Sequence, residues 1–281
     1  MIKNLADRVE LNNGTQIPGL GLGVFQVPAE VTAEVVKNGI LNGYRSIDTA
    51  QIYGNEKETG EGIRAALKEL GLQRDDIFIT TKIWNYNLSY EEALKAYEAS
   101  LEALGVEYVD LYLIHWPGND SYEESWKAME TLYKAGKIKA IGVSNFQVHH
   151  LERLASFATV VPVLNQVELH PRLQQHELRA YAAAHNIKIQ AWAPLMQGEL
   201  LHNEEIAAIA KAHNKSIAQV ILRWHIQQEL LLNVKSLKAS RMIENSDIFD
   251  FVLTDAEMDT INALDAGTRV GPDPDVFDMN I

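Results

Sequence analysis

The sequence predicts a (β/α)8 barrel, the TIM-barrel fold of the α/β class, with an N-terminal β-hairpin in front of it. Short apolar runs alternate with longer amphipathic runs along the whole chain, and eight of the short runs have the length of strands. Strands that alternate with helices form right-handed crossovers and a parallel sheet, and eight such units close into a barrel of about 250 residues. An open doubly wound sheet is the alternative, but nothing divides the strands into two halves. We therefore expect residues 1–281 to form a single domain.

The first element is a hairpin that turns at Asn13-Gly14, a dipeptide that favours a tight turn between antiparallel strands. The eight barrel strands are predicted, in order, at residues 20–23, 44–48, 77–82, 109–115, 138–143, 163–166, 187–192 and 230–234. Helical patterns lie between them, for example over residues 89–104, 122–135 and 174–185. Ser89, which precedes two glutamates, and Ser216 are predicted to cap the helices that follow them.

Composition excludes several classes of protein. The chain contains no cysteine, which excludes disulfides, thiolate catalysis and cysteine–zinc sites. Its formal net charge of −13 argues against a nucleic-acid partner. No apolar run reaches the ~18 residues that span a bilayer, and the N-terminus has no apolar leader, so we expect a cytoplasmic protein with no membrane partner. No apolar surface stripe calls for a protein partner, and a monomer is expected.

Polar side chains end most of the predicted strands. In such a barrel the active site forms at the carboxyl ends of the strands. Asp48, Lys82 and His115 end three consecutive strands and are expected to be neighbours at one rim, with Tyr53 in the loop after the second strand. Each of them has an ordinary structural explanation when it is considered alone. The later strands end in Ser144 and Asn145, Asn165 and Gln166, Trp192, and Lys235 and Ser236.

The four side chains at this rim suit the reduction of a carbonyl group. A free tyrosine has a pKa near ~10 and is a poor acid at neutral pH. Lys82 is expected to stabilise the Tyr53 phenolate and so lower that pKa, while Asp48 keeps the lysine charged. His115 can hold a substrate oxygen. The set predicts proton donation to a carbonyl oxygen as that oxygen gains negative charge.

Several stretches resemble the aldo-keto reductases, in the same order along the chain from about residue 8 to the C-terminus. They are Ser46-Ile-Asp-Thr-Ala50, Tyr53-Gly-Asn-Glu56, Leu113-Ile-His-Trp-Pro117, Ile141-Gly-Val-Ser-Asn-Phe146, Asn165-Gln-Val-Glu168, Ala191-Trp-Ala-Pro-Leu195 and Gly271-Pro-Asp-Pro274. The chain looks like the bacterial members described as glyoxal or methylglyoxal reductases and as 2,5-diketogluconate reductases. The resemblance implies Tyr53 as general acid, Lys82 and Asp48 as the groups that tune it, and His115 as the group that orients the substrate carbonyl.

The resemblance also implies a nicotinamide cofactor. Ser144, Asn145 and Gln166 match the residues that bind the carboxamide, and Trp192 matches the aromatic platform under the nicotinamide ring. The segment for the adenosine 2′-phosphate and adenine is matched by Lys235, Ser236, Leu237, Arg241, Glu244 and Asn245. A lysine and an arginine in an acidic chain make an anion site, so NADPH is expected in preference to NADH. Asn233-Val234 and Ala239-Ser240 depart from the usual Ile-Pro and Pro-Glu at these positions.

The substrate pocket is expected to be walled by Phe25, Trp84 and Trp116, together with His115. The loop from Pro117 to Ser121 is short, which predicts an open, shallow pocket for small aldehydes and α-dicarbonyls such as methylglyoxal.

No metal is expected, because Glu168, His170 and His176 do not have the spacing of a metal site. The pair His149-His150 is expected on a helix surface. Gly19-Leu-Gly21-Leu-Gly23 lacks the spacing of a dinucleotide fingerprint and is interpreted as backbone geometry of the first strand.

Two other functions remain open from the residues alone. A Schiff-base lyase or aldolase would use Lys82 as nucleophile, although an ion-paired lysine is a poor one. A non-catalytic nucleotide-binding subunit would bind the cofactor and reduce nothing.

Overall fold

A computed structural model of the chain describes residues 2–86, 88–118 and 122–279. It confirms the predicted fold, with an N-terminal antiparallel hairpin followed by a closed barrel of eight parallel strands and surrounding helices. The hairpin consists of β1 (Arg8–Glu10) and β2 (Gln16–Pro18), which pair antiparallel. Gly14 has a positive φ of 84°, which the tight turn between them requires.

The barrel strands differ from the predicted ones by at most two residues at either end, as is usual for element boundaries. They are β3 (Leu20–Gly23), β4 (Ser46–Asp48), β5 (Phe78–Ile83), β6 (Val109–Ile114), β7 (Ile138–Ser144), β8 (Leu164–Glu168), β9 (Lys188–Trp192) and β10 (Leu231–Val234). Each pairs in parallel with its neighbour in sequence, and β10 also pairs with β3, which closes the barrel.

Helices follow the strands around the outside of the barrel. They are α1 (Ala29–Leu41), α2 (Glu56–Leu70), α3 (Tyr90–Leu104), α4 (Glu123–Lys134), α5 (Val148–Phe157), α6 (His176–Ala184), α7 (Glu204–His213), α8 (Ile217–Gln227), α9 (Ala239–Ser246) and α10 (Asp255–Asn262). Short 3-10 turns cover Gln51–Tyr53, Arg74–Asp76 and Met196–His202. Ser89 and Ser216 cap α3 and α8 as predicted, each in a capping box. None of the helices in these ranges is both long and apolar enough to cross a membrane.

Strand alternation decides which side chains enter the barrel. Thr81 and Lys82 are consecutive in β5 and point to opposite faces. The Thr81 hydroxyl donates to the Glu56 carboxylate of α2, outside the sheet, at 2.6 Å. The Lys82 ammonium instead donates to Asp48 of the adjacent strand β4 at 2.6 Å. Because consecutive side chains alternate, the face of β5 that turns Thr81 toward α2 leaves Lys82 pointing into the barrel.

Glycine in β3, the first strand of the barrel, allows close packing against the neighbouring strand. A Cβ on Gly21 would lie 2.1 Å from Oδ1 of Asn233 in the neighbouring strand β10. Leu20–Gly23 of the glycine-rich stretch form β3, as the sequence predicts.

Candidate active site

Asp48, Lys82 and Tyr53 form a connected group at the carboxyl ends of β4 and β5. The Lys82 ammonium is completely buried and donates hydrogen bonds to Asp48 Oδ1 at 2.6 Å and to the backbone oxygen of Thr49 at 2.9 Å. Its third neighbour is the Tyr53 hydroxyl, 3.3 Å from Nζ. Lys82 is therefore held by three oxygens.

The pKa of Tyr53 differs from the expectation that it is lowered. Burial raises the pKa of the Tyr53 hydroxyl, and this effect exceeds the opposing influence of the Lys82 charge. Burial acts to lower the pKa of Lys82, but its attraction to Asp48 and its hydrogen bonds raise that pKa above the ordinary value. At neutral pH the group therefore consists of a protonated phenol beside an ammonium–carboxylate pair. Sequence reasoning considered the charge of Lys82 and omitted the loss of solvent around the phenol.

His115 is a neutral imidazole beside this group. Its ring centroid lies 5.6 Å from that of Tyr53, in an edge-to-face arrangement. Burial, assisted by the nearby charge of Lys82, holds the pKa of His115 well below its ordinary value. Its Nδ1 is buried and has no hydrogen-bond partner among the described residues. The ring can therefore contact an uncharged oxygen without adding a second cation to the site.

A glutamine joins the acid group to the positions expected to bind the cofactor. The Gln166 amide donates one hydrogen bond to Asp48 Oδ2 at 2.8 Å and one to Gln190 Oε1 at 2.9 Å. Both of its N–H groups are used in this way, which leaves Oε1 as the atom that can accept from a carboxamide. Gln190 was not singled out by the sequence, because a buried polar residue within an apolar strand gives no motif.

Ser144, Asn145 and Trp192 form a second hydrogen-bonded set on the same rim. Trp192 Nε1 donates to Asn145 Oδ1 at 2.8 Å, and the Asn145 amide donates to Ser144 Oγ at 3.2 Å and to the His115 carbonyl at 3.0 Å. Asn145 has a positive φ of 65°, a conformation that asparagine tolerates better than most residues. These contacts fix the orientation of the Trp192 ring from one edge.

The basic segment after β10 lies on the surface. Lys235, Leu237 and Arg241 are exposed, Glu244 is half-buried, and Ser236 and Asn245 are buried. Within the described ranges, neither Lys235 nor Lys238 nor Arg241 makes a salt bridge, although the chain is strongly acidic. These cations lie at the start of α9, where backbone N–H groups and the helix dipole favour an anion. The arrangement fits a phosphate group.

Aromatic rings wall the site, and one of them was not expected from the sequence. Phe25 is 53% exposed, with its ring 4.9 Å from that of Tyr53, and the ring of Trp84 lies 5.5 Å from His115. Trp116 is only 7% exposed, because Phe277 packs on it with ring centroids 4.3 Å apart. The C-terminal segment, defined here as residues 264–279, thus supplies the ring that covers Trp116.

The loop from Pro117 to Ser121, on which the expectation of an open pocket rested, extends beyond the described residues at 119–121. Phe277 was missed because a single aromatic residue in a segment without periodicity carries no sequence signal. Its position two residues after the charged Asp275 gives no indication of which strand end it covers.

The histidines considered for a metal site are arranged in separate pairs. His170 Nε2 lies 3.0 Å from the buried carboxylate of Glu168, whereas His176 faces Asp265 at 3.3 Å. The expectation that both His149 and His150 lie on a helix surface is wrong for His150, which is 6% exposed.

His149 and His150 both face the carboxylate of Asp275, at 3.4 and 3.8 Å. Nδ1 of His150 accepts a hydrogen bond from the Gln147 backbone N–H at 3.0 Å. In the neutral ring the proton is therefore on Nε2, which then has no lone pair to offer to a metal ion.

Residues 19–266 match the model of the Aldo/keto reductase family. The glyoxal reductase of Bacillus subtilis (strain 168) is 55% identical over 276 residues, which cover 98% of this chain and 99% of that protein. The methylglyoxal reductase DkgA of Escherichia coli (strain K12) is 44% identical over 273 residues, 96% of this chain and 97% of that protein. A crystal structure of a Gox0644 mutant in complex with NADPH superposes with a TM-score of 0.91 at 42% identity, covering 97% of this chain and 98% of that one.

Proposed function

This chain belongs to the aldo/keto reductase family, and we propose that it uses NADPH to reduce small aldehydes, ketones and α-dicarbonyls to alcohols. One observation carries the proposal: the Tyr53 hydroxyl lies 3.3 Å from a buried lysine that is paired at 2.6 Å with Asp48. The names of two relatives, glyoxal reductase and methylglyoxal reductase, support α-dicarbonyls or related small carbonyls, such as diketo-sugar acids, as substrates.

Tyr53 acts as the general acid. Its raised pKa means that the hydroxyl keeps its proton in the resting site and releases it only to a stronger base. An alkoxide oxygen that forms from a carbonyl is such a base. When the proton leaves, the phenolate lies against the Lys82 ammonium, whose charge is maintained by Asp48. The buried ion pair therefore stabilises the site after the proton transfer more than before it.

His115 orients the carbonyl oxygen toward Tyr53. The depressed pKa of His115 keeps the imidazole uncharged, so that it can hydrogen-bond to the oxygen without competing with Tyr53 as an acid. Its ring contacts both Tyr53 and Trp84 edge-on, which places a polar group at the base of an aromatic pocket. Phe25, Trp84, Trp116 and Phe277 then contact the rest of a small substrate.

The residues present fit a bound NADPH. Lys235 and Arg241 carry charges that no described acidic side chain neutralises, as a 2′-phosphate requires. Trp192 presents a half-buried ring that Asn145 fixes, and Ser144 and Gln166 lie beside it, as a nicotinamide and its carboxamide require. Ser236, Leu237, Glu244 and Asn245 would hold the adenosine. When bound, NADPH supplies the hydride for the carbonyl carbon.

The proposal is tested by following the loss of NADPH absorbance with a panel of carbonyl compounds. The panel contains methylglyoxal, glyoxal, a diketo-sugar acid and, for contrast, a steroid ketone and a bulky aromatic ketone. We expect the highest kcat/KM with the small dicarbonyls. A protein that binds NADPH and reduces no carbonyl is instead a nucleotide-binding subunit. A preference for the bulky ketones contradicts the substrate class proposed here.

A Schiff-base mechanism is disfavoured by the burial and raised pKa of Lys82, because a protonated lysine held by three oxygens has no free electron pair. Borohydride added during turnover should therefore leave Lys82 unmodified in a peptide map. A stable adduct at Lys82 would favour the aldolase alternative.

We also propose that the protein acts as a monomer, without a nucleic-acid or membrane partner. One chain supplies all the site residues named above, and its net charge of −13 repels nucleic acid. Light scattering coupled to size-exclusion chromatography should give a mass near 31.5 kDa, and twice that mass contradicts the monomer.

A further inference from the structure

A buried carboxylate fastens the C-terminal segment to the barrel. Glu168 ends β8 and is 1% exposed. Its Oε1 accepts a hydrogen bond from the Val270 N–H at 2.6 Å, and its Oε2 accepts one from the Gly271 N–H at 3.0 Å. His170 Nε2 lies 3.0 Å from Oε1 and completes the set. Three polar neighbours thus hold one carboxylate, and two of them are consecutive backbone groups of the segment.

The segment that Glu168 holds contacts the aromatic platform directly. A Cβ on Gly271 would lie 2.3 Å from Cη2 of Trp192 and 3.1 Å from Oε2 of Glu168. The backbone at Gly271 therefore passes against the far edge of the indole, while Asn145 holds its Nε1 edge at 2.8 Å. The Trp192 ring is therefore confined at two edges, by Asn145 and by the backbone at Gly271. Glu168 sets the position of the Gly271 backbone.

The same segment continues to the substrate pocket. Six residues after Gly271, the ring of Phe277 packs on Trp116 at 4.3 Å and approaches Trp84 at 6.2 Å. A shift of the backbone at Val270 and Gly271 would thus change the packing both on the Trp192 ring and between Phe277 and the pocket aromatics.

From these contacts we propose that Glu168 is a positioning residue that couples the Trp192 platform to the C-terminal wall of the substrate pocket. The proposal rests on the reductase function proposed above. Glu168 contacts neither Tyr53 nor Lys82 through any described hydrogen bond, so it acts on the binding of cofactor and substrate and leaves the proton transfer unchanged. A carboxylate is needed because both of its oxygens accept from N–H groups. In an amide, an NH2 group replaces one of the two oxygens, so one backbone N–H group would face a donor in place of an acceptor.

The chain offers a matched control in Glu130. This carboxylate of α4 is 6% exposed and also accepts from two consecutive backbone N–H groups, those of Thr159 at 2.6 Å and Val160 at 2.8 Å. None of these groups belongs to the site. Glu168→Gln and Glu130→Gln therefore remove the same kind of interaction at two places, and only the first should affect binding.

The experiment compares wild type, Glu168→Gln and Glu130→Gln by steady-state kinetics, NADPH titration and amide hydrogen exchange. We expect Glu168→Gln to raise KM for methylglyoxal and the NADPH dissociation constant by about tenfold, the scale of a lost hydrogen bond to a charged group. Its kcat should stay close to that of wild type. Exchange should accelerate at Val270 and Gly271, while Glu130→Gln accelerates exchange at Thr159 and Val160 and leaves KM unchanged.

Equal kinetic constants in the two variants overturn the proposal, as does unchanged exchange at Val270 and Gly271 in Glu168→Gln. If wild type reduces no carbonyl, the proposed function fails, and the exchange data together with Trp192-dependent fluorescence still decide whether Glu168 holds the segment and the platform. Glu168→Asp provides a second variant if the glutamine form does not fold. It keeps the charge, and we expect it to recover part of the slow exchange.

Discussion

Gln166 donates a 2.8 Å hydrogen bond to Asp48 Oδ2, the carboxylate oxygen opposite the one that holds Lys82. A residue expected to bind the cofactor is therefore in direct contact with the ion pair that supports the proton donor. Each carboxylate oxygen of Asp48 accepts one of these hydrogen bonds, Oδ1 from Lys82 and Oδ2 from Gln166. Together the two bonds fix the plane of the carboxylate. The orientation of Lys82 toward Tyr53 follows from this plane.

The ion pair itself is expected to be essential to both stability and catalysis. Asp48→Asn leaves a completely buried lysine without its opposite charge. We expect the free energy of unfolding to fall by roughly 3–5 kcal/mol and kcat to fall at least ~100-fold. Urea denaturation and steady-state kinetics measure the two effects.

The control for this substitution is Glu98→Gln, which breaks an exposed pair with Lys137 whose atoms are 3.3 Å apart. A surface pair of this kind contributes less than about 1 kcal/mol. Similar losses in the two variants would mean that the burial of the Asp48–Lys82 pair has no energetic importance.

The pH dependence of reduction follows from two shifted pKa values. The pKa of Tyr53 is raised by burial, so the acid stays protonated up to and beyond the ordinary tyrosine value of about 10. The pKa of His115 is lowered by burial and by Lys82, so the imidazole is neutral above about pH 6.5. We expect kcat to be constant between these limits. An inflection between about pH 7 and 9 would contradict the assignment.

The same shift of His115 has a consequence for stability. The unfolded chain binds a proton to this histidine more readily than the folded protein does. The free energy of unfolding should therefore decrease as the pH falls below about 6.5, and His115→Gln should flatten this part of the profile.

Cofactor preference is expected to depend on Arg241. Arg241→Ala removes an exposed cation that no described carboxylate neutralises, so its charge is free to pair with a 2′-phosphate. We expect the NADPH dissociation constant to rise about 10-fold to 100-fold, as for a lost charge-assisted contact, with that of NADH nearly unchanged. Fluorescence titration with both cofactors measures the difference. An equal weakening of both contradicts the placement of the phosphate.

Phe277 is expected to affect substrate binding. Phe277→Ala removes the ring that covers Trp116, which widens the pocket on that side. We expect KM for methylglyoxal to increase several-fold, on the scale of about 1 kcal/mol for one aromatic contact, while kcat/KM for bulky ketones improves. A variant with the same substrate ranking as wild type would show that this wall does not select substrates.

Much of the fold and the rim could be predicted from sequence because strand ends are local signals. Asp48, Lys82 and His115 each terminate an apolar run, and a parallel barrel brings such ends together. The net pKa of Tyr53 could not be predicted, since burial depends on which side chains close over the phenol. Phe277 and Gln190 were equally inaccessible to sequence reasoning, because their partners are distant in sequence.

The role of Tyr53 as proton donor is the central claim, and Tyr53→Phe tests it most directly. The measurement is kcat for NADPH-dependent reduction of methylglyoxal, together with NADPH binding by fluorescence. We predict that kcat falls roughly 100-fold to 10,000-fold, because the phenylalanine ring keeps the packing on Phe25 and removes only the acid. NADPH binding should be retained. A variant that binds NADPH and reduces methylglyoxal at the wild-type rate would contradict the account.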